Sequence, residues 1–269
     1  MFGTAKAEVM QADLVIDSPT VDANDLRDVL IGEGLVAVGD AVLTSSDFSA
    51  ATFSGGRTVL GMDSGIILST GDVSIADDPN VDNGSTGAAS GESDQQLDEE
   101  FDMETQDTTA LEFTVELEEA GDLFLNFVFA SEEYNEFSNS EFNDVLAIFV
   151  DDENIALVNG EPVSVNTVNG GNPYGANARN PELFKNNSPL DDGEYLSDIA
   201  YDGFTEIITA TKMGLDAGVH HIRIAISDVT DSQFDSAVFI QANSIATPAL
   251  PVSTGGVLGT VHDKFGDRN

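Results

Sequence analysis

Apolar and polar residues alternate with a period of two over much of the chain, the spacing that lines one face of a β-strand. The clearest run covers residues 110–118, where Leu111, Phe113, Val115 and Leu117 alternate with polar neighbours. After Gly121-Asp122 the alternation resumes through Leu123, Leu125, Phe127 and Phe129. Two such runs around a tight turn predict a β-hairpin on a sheet with one buried face. Residues 143–152 and 153–160 predict a second hairpin around Asp151-Asp152, and residues 204–213, 219–229 and 236–246 predict three more strands. Nearer the start, residues 49–53, 57–60 and 65–69 are short strand candidates punctuated by glycines, and residues 9–16 read as a first strand or an extended arm. Helical spacing stands out once: Leu26, Val29 and Leu30 share a face, Asp22 or Asn24 can cap it, and Gly32 or Gly34 can end it.

Two stretches break the pattern. Residues 72–107 are polar with a Gly-Ser-Thr middle and read as a long surface loop, and residues 168–202, rich in Asn, Gly and Pro, read as a second. Roughly ten short strands, one short helix near the N-terminus and two long loops predict an all-β fold, a two-sheet antiparallel β-sandwich of jelly-roll type. The expected division is an N-terminal extended arm at 1–13, the sandwich at 14–246 and a C-terminal tail at 247–269, where Pro248 and Pro251 bound a segment poor in apolar residues.

Composition then removes whole classes of function. The 269 residues are 41% hydrophobic and include 16 Phe, enough for a substantial core. Against that, 49 acids face 9 bases for a net charge of −40. Nucleic acid is excluded as a partner because phosphate binding needs clustered Lys and Arg, and no basic residue occurs between Arg57 and Arg179. Anionic membranes are disfavoured for the same reason, and no apolar run is long enough for direct membrane insertion. The absence of Cys excludes disulfides, thiolate metal sites and a Cys nucleophile. A compact fold carrying this charge needs counter-ions, supplied by high ionic strength or by calcium at the concentrations found outside cells.

The acids bunch where strands end. Residues 131–145, SEEYNEFSNSEFNDV, carry Glu132, Glu133, Glu136 and Asp144 with Asn135, Asn139, Glu141 and Asn143 among them. Residues 227–239, SDVTDSQFDSAVF, carry Asp228, Asp231 and Asp235. Calcium takes six to eight oxygens from carboxylates, amides, backbone carbonyls and water, so these two loops together offer a ligand set and Ca2+ is the expected cofactor. Neither loop has the spacing of an EF-hand.

Catalysis finds less support. Glu133 and Asp144 could form a glycosidase pair, but acids are so abundant that some pair meets the required separation by chance. His220 and His221 are adjacent on a predicted strand and point to opposite faces, and His262 lies in the tail, so no catalytic residue is expected. A calcium-dependent carbohydrate-binding or carbohydrate-cleaving module using Tyr134, Tyr174 or Tyr201 is the alternative from a different class, weakened by the absence of Trp.

The order of these segments resembles a known family. GMDSGIILSTGD, GDLFLNFVFASEEYNEF, FNDVLAIFVDDENIALV and the closing DSAVFIQA are similar, in that order, to the choice-of-anchor L domain, a bacterial and archaeal extracellular module, over about residues 14–244. The resemblance implies a non-enzymatic β-sandwich displayed outside the cell or at its surface. The first residues lack a secretory-signal pattern and the last lack an apolar anchor. The expectation drawn from this is a subunit of a larger assembly, a filament or a virion, whose terminal segments at 9–16 or 252–261 add a strand to a neighbour. Expected partners are therefore further copies of the chain or other assembly subunits, with surface glycans as a further possibility.

Overall fold

The structure, a computed structural model, describes residues 13–19, 22–45, 48–84 and 92–247. The arm at 9–12 and the tail at 252–261 lie outside the described residues.

Strand β1 (Val15–Ile16) is followed by helix α1 (Ala23–Leu30), then β2 (Leu35–Thr44), β3 (Ala50–Ser54) and β4 (Ser64–Ser69). Helix α2 (Gln95–Phe101) leads into β5 (Thr105–Leu117) and β6 (Gly121–Ser131). Then come β7 (Val145–Val150), β8 (Glu153–Asn154), β9 (Leu157–Val158), β10 (Glu161–Pro162) and β11 (Phe184–Asn186). The chain closes with β12 (Gly203–Thr205), β13 (Ile208–Leu215), β14 (Gly218–Val229) and β15 (Ser236–Gln241).

All strand pairs are antiparallel and form two packed sheets plus the small β9–β10 hairpin. The larger sheet runs β1-β3-β4-β15-β6-β12-β11, with β13 also pairing β6, and the smaller runs β2-β5-β14-β7-β8. This is the expected all-β sandwich.

Residue parity explains why the central strands read as nearly continuous apolar runs. In β6, Leu125, Phe127 and Phe129 enter the core between the sheets, while Val128 and Ala130 enter a second cluster on the outer face with Phe53, Tyr201 and Phe239. In β7, Leu146, Ile148 and Val150 face the inter-sheet core, and Val145, Ala147 and Phe149 face a third cluster with Leu97 and Phe101 of α2. Strands covered on both faces lose the polar half of the alternation.

Several expectations need correction. Strands β5 and β6 do not form a hairpin: β5 pairs with β2 and β14, β6 with β12, β13 and β15, so the Gly121-Asp122 corner carries the chain from one sheet to the other. Alternation specifies which face of a strand is buried and leaves the sheet it joins open. Residues 57–60 form a turn closed by the Leu60 N–H donating to the Gly56 carbonyl at 2.7 Å, and Val59 and Leu60 are buried there as turn residues. The 72–107 stretch contains a second helix, so α1 is not the only one. The Asp94 carboxylate accepts from the Leu97 N–H at 3.0 Å to start α2, Leu97 is fully buried, and the buried Arg223 of β14 pairs with Asp94 to hold the helix on the sheet. The helix expected near the N-terminus forms over α1 with Asp22 as its cap.

Candidate functional site

Topology decides where the acidic loops lie. Strand β6 ends at Ser131, which registers with Ser236 at the start of β15; Ser227, near the end of β14, registers with Val145 at the start of β7. The 132–144 loop therefore leaves the larger sheet for the smaller, and the 230–235 loop makes the reverse crossing at the same end of the sandwich. Phe137 of the first loop stacks on Phe234 of the second, ring centroids 5.3 Å apart, and on Phe142 at 5.2 Å, so apolar contact ties the crossings together. Phe234 holds a left-handed backbone conformation (φ 64°), one that a bulky residue adopts only when its surroundings impose it.

At this end of the sandwich, Glu132, Glu133, Asp144, Asp228 and Asp235 are each buried to 2% exposure or less. The Asp144 carboxylate accepts from the Ser236 hydroxyl at 2.6 Å and from the Val229 N–H at 3.1 Å, joining both loops directly. The Glu132 N–H donates to the Asp235 carbonyl at 3.1 Å. The Asp235 carboxylate lies against Gly71, where a Cβ would stand 1.9 Å from Oδ2, so a larger residue in the turn after β4 would have to displace the carboxylate. The Asp228 carboxylate is enclosed with the Thr70 hydroxyl as a hydrogen-bonding neighbour, and one oxygen of Glu133 lacks a partner. Among the described residues no Lys, Arg or His forms an ion pair with Glu133, Asp144 or Asp228.

The electrostatic consequence is large. Burial first, then the charges of Asp144, Asp231, Glu132 and Glu136, push the Glu133 carboxyl up to about 10. Burial pushes Asp144 up to about 8 despite the hydrogen bonds from Ser236 and Val229. Asp228 is driven well above the ordinary carboxylate range by burial and then by Asp144. Each unit of such displacement is about 1.4 kcal/mol against the ionised form.

Of the seven expected ligands, five lie in this cluster. Asp231 is half-buried at its margin, where it accepts from the Gln233 N–H at 3.1 Å. Glu136 turns toward residues 80–84 and accepts from the Asn83 amide. Among the described residues, no group of three or more His, Cys, Asp or Glu side chains stands as placed in an arrangement that could hold a metal ion.

The sugar-binding alternative loses its platform: Tyr134 and Tyr201 are fully buried, leaving Tyr174 exposed. Glu133 and Asp144, the carboxyl pair considered for glycoside cleavage, are each 1% exposed and do not flank an open cleft. At the opposite end of the sandwich an open depression of about 410 Å³ is lined by Asp17, Asp28, Thr52 and Asn243 among others, with no His or Lys in its wall. No described helix is long and apolar enough to cross a membrane.

A second group of polar side chains was visible in the sequence only through Asn135, which lies in the first acidic loop. Asp202, Asn80 and Asn135 are buried at the same end, one loop away from Glu133. Amides carry no charge pattern, and Asn is common in turns for conformational reasons, so nothing in the spacing singles them out.

Among models of known families, that of the choice-of-anchor L domain matches residues 15–246. No curated protein and no solved structure matches the chain.

Proposed function

The chain belongs to the choice-of-anchor L domain family, and from that premise we propose that it is a non-catalytic, cation-stabilised structural or adhesive module, displayed outside the cell, whose two acidic crossing loops are joined by Ca2+. The observation that carries this reading is the buried carboxylate cluster. Glu133, Asp144 and Asp228 come together out of water, and among the described residues no basic side chain is paired to them. Buried carboxylates in that situation hold protons or a cation, because leaving them ionised and alone is prohibitive. A hard divalent ion suits oxygen donors of this kind, and the carboxylates would draw together around it from the spacing they have now. The ion's role is mechanical. It binds the folded arrangement and not the unfolded chain, so its binding free energy adds to folding free energy.

The test is thermal unfolding at low ionic strength with calcium and with a chelator. With calcium at about a hundred times its dissociation constant the added stability is about 2.7 kcal/mol, which for a domain of this size is about 5 to 10 °C of melting temperature. Coincident melting curves would contradict the reading.

A further inference from the structure

A ring of contacts joins three loops beside the carboxylate cluster. The Asn80 amide nitrogen donates to Asp202 Oδ1 at 2.6 Å and to the Asn187 carbonyl at 3.0 Å. Three residues on, the Asn83 amide nitrogen donates to Glu136. Its neighbour Asn135 donates to Asn186 Oδ1 at 2.8 Å and to Asp191 Oδ2 at 3.1 Å. The Asn187 N–H closes the ring by donating to the Asp202 carbonyl at 2.8 Å.

These bonds fix which way each amide faces. Both partners of the Asn80 nitrogen are acceptors, and so are both partners of the Asn135 nitrogen, since the Asn186 nitrogen is itself committed to the Asp191 carbonyl at 2.7 Å. Turning either amide over would set oxygen against oxygen. With the nitrogens committed, Asn80 Oδ1, Asn83 Oδ1, Asn135 Oδ1 and Asp202 Oδ2 are each enclosed and without a partner. Asn80, Asn135 and Asp202 are 4%, 2% and 0% exposed. Every unsatisfied atom of the ring is thus an acceptor. Burying one such group unpaired costs about 1 to 3 kcal/mol, so the ring lacks an electron-poor occupant. A proton on Asp202 Oδ2 would serve that oxygen and at most one of the three amide oxygens, leaving the other two without a partner.

We propose that the ring formed by Asn80, Asn83, Asn135 and Asp202 is a second calcium site, lined chiefly by amide oxygens and separate from the carboxylate cluster. Glu136, Asp82 and Asp191 stand around Asp202 as further negative charge and make a cation the favoured occupant over water. Amide and carboxylate oxygens in mixture suit calcium, which accepts six to eight ligands in flexible geometry; magnesium keeps most of its waters. Strands β11, β12 and β6 pair beside the ring, Asn186 with Gly203 and Gly203 with Ser131, and the ion would tie the loop at 80–84 to them.

The test is calcium titration of the full chain by calorimetry, with the bound ion counted by emission spectrometry. Variants Asp202→Asn, Asn83→Ala and Asp228→Asn are compared with the parent. The expected result is one ion fewer in Asp202→Asn and a site weakened roughly tenfold to a hundredfold in Asn83→Ala, the range met when groups supporting a metal are removed. Asn83 is the milder change and keeps the test decisive if Asp202→Asn fails to fold. An unchanged ion count and affinity in folded Asn83→Ala and Asp202→Asn overturns the site and leaves ordered water as its occupant. If Asp228→Asn alone loses an ion, the carboxylate site stands and this one falls; if Asp202→Asn alone loses one, the reverse holds.

Discussion

Two buried polar clusters occupy the same end of the sandwich and solve the problem of burial differently. Glu132, Glu133, Asp144, Asp228 and Asp235 form a group of buried carboxylates, and burial first, with the neighbouring negative charges second, displaces the protonation of Glu133, Asp144 and Asp228 upward. The other cluster places a single buried carboxylate, Asp202, among amides. Burial raises it to about 8 while the Asn80 hydrogen bond opposes the rise. On the proposed reading a cation would relieve the first cluster, whereas in the second, hydrogen bonds commit the amide nitrogens and leave Asn80 Oδ1, Asn83 Oδ1, Asn135 Oδ1 and Asp202 Oδ2 without partners. Charge density provides affinity, whereas fixed dipoles provide preorganisation and so selectivity.

The sharpest break of this comparison is Asp228→Asn, for which the largest effect is expected. In chelator near neutral pH it removes the cost of protonating a buried carboxyl and stabilises the fold, by about 1.4 kcal/mol for each unit of the upward displacement. In calcium it removes a ligand and destabilises, so the order of the melting temperatures of variant and parent inverts between the two conditions. A shift of the same sign in both would dissolve the distinction between charge storage and metal support.

Next in size is the pH dependence of the calcium-free protein. Glu133 and Asp144 titrate near 10 and 8 when folded, above their unfolded values of 4.5 and 3.8. In those intervals the native state holds protons the unfolded chain has released, so stability falls as pH rises. The contribution is complete below about pH 4 and lost through about pH 8 for Asp144 and about pH 10 for Glu133. Chemical denaturation in chelator should therefore give a more stable protein at pH 5 than at pH 8, and calcium should flatten or reverse the slope. A calcium-free protein most stable at pH 8 would contradict the proton inventory of the cluster.

Salt sharpens the contrast further. Raising ionic strength in chelator should recover part of the calcium effect, because screening reduces repulsion at the loop margins around Asp231 and Glu136 but reaches the buried carboxylates weakly. A full recovery would identify the calcium effect as general screening.

The smallest effect serves as a control at the far end of β14. His220 Nδ1 lies 2.6 Å from Asp151 Oδ2; burial opposes its charge, but the hydrogen bonds to Asp151 and the Asp216 carbonyl and the charges of both residues together outweigh this and raise the imidazole, while Asp151 is lowered. The pair's contribution is present below the unfolded histidine value of 6.5 and fades as pH rises through the raised folded value; acid below Asp151's lowered value also removes it. His220→Gln should cost about 1 kcal/mol or less near pH 6, independent of calcium. A calcium-dependent cost would mean that the ion acts on the whole sandwich and not on one end.

How much of this was legible in the sequence follows from what each feature leaves in the pattern. The sandwich and α1 were readable because buried faces impose periodicity, and the carboxylate loops because charge is visible residue by residue. The crossing between β5 and β6 was not, since Leu111–Leu117 and Leu123–Phe129 alternate identically whether they pair with each other or face each other across a core. Helix α2 was hidden because Leu97 and Phe101 are its only large apolar residues in an acidic stretch. Asn80, Asn135 and Asp202 come from segments more than fifty residues apart in sequence and become a site only once β6 and β12 are paired at Ser131 and Gly203.

The most direct test of the central claim is anomalous diffraction at long wavelength from crystals grown in calcium. A peak bounded by Glu133, Asp144, Asp228 and Asp235, at oxygen distances of about 2.3 to 2.6 Å, is the predicted result. Well-ordered carboxylates around a position with no anomalous signal at saturating calcium would contradict it.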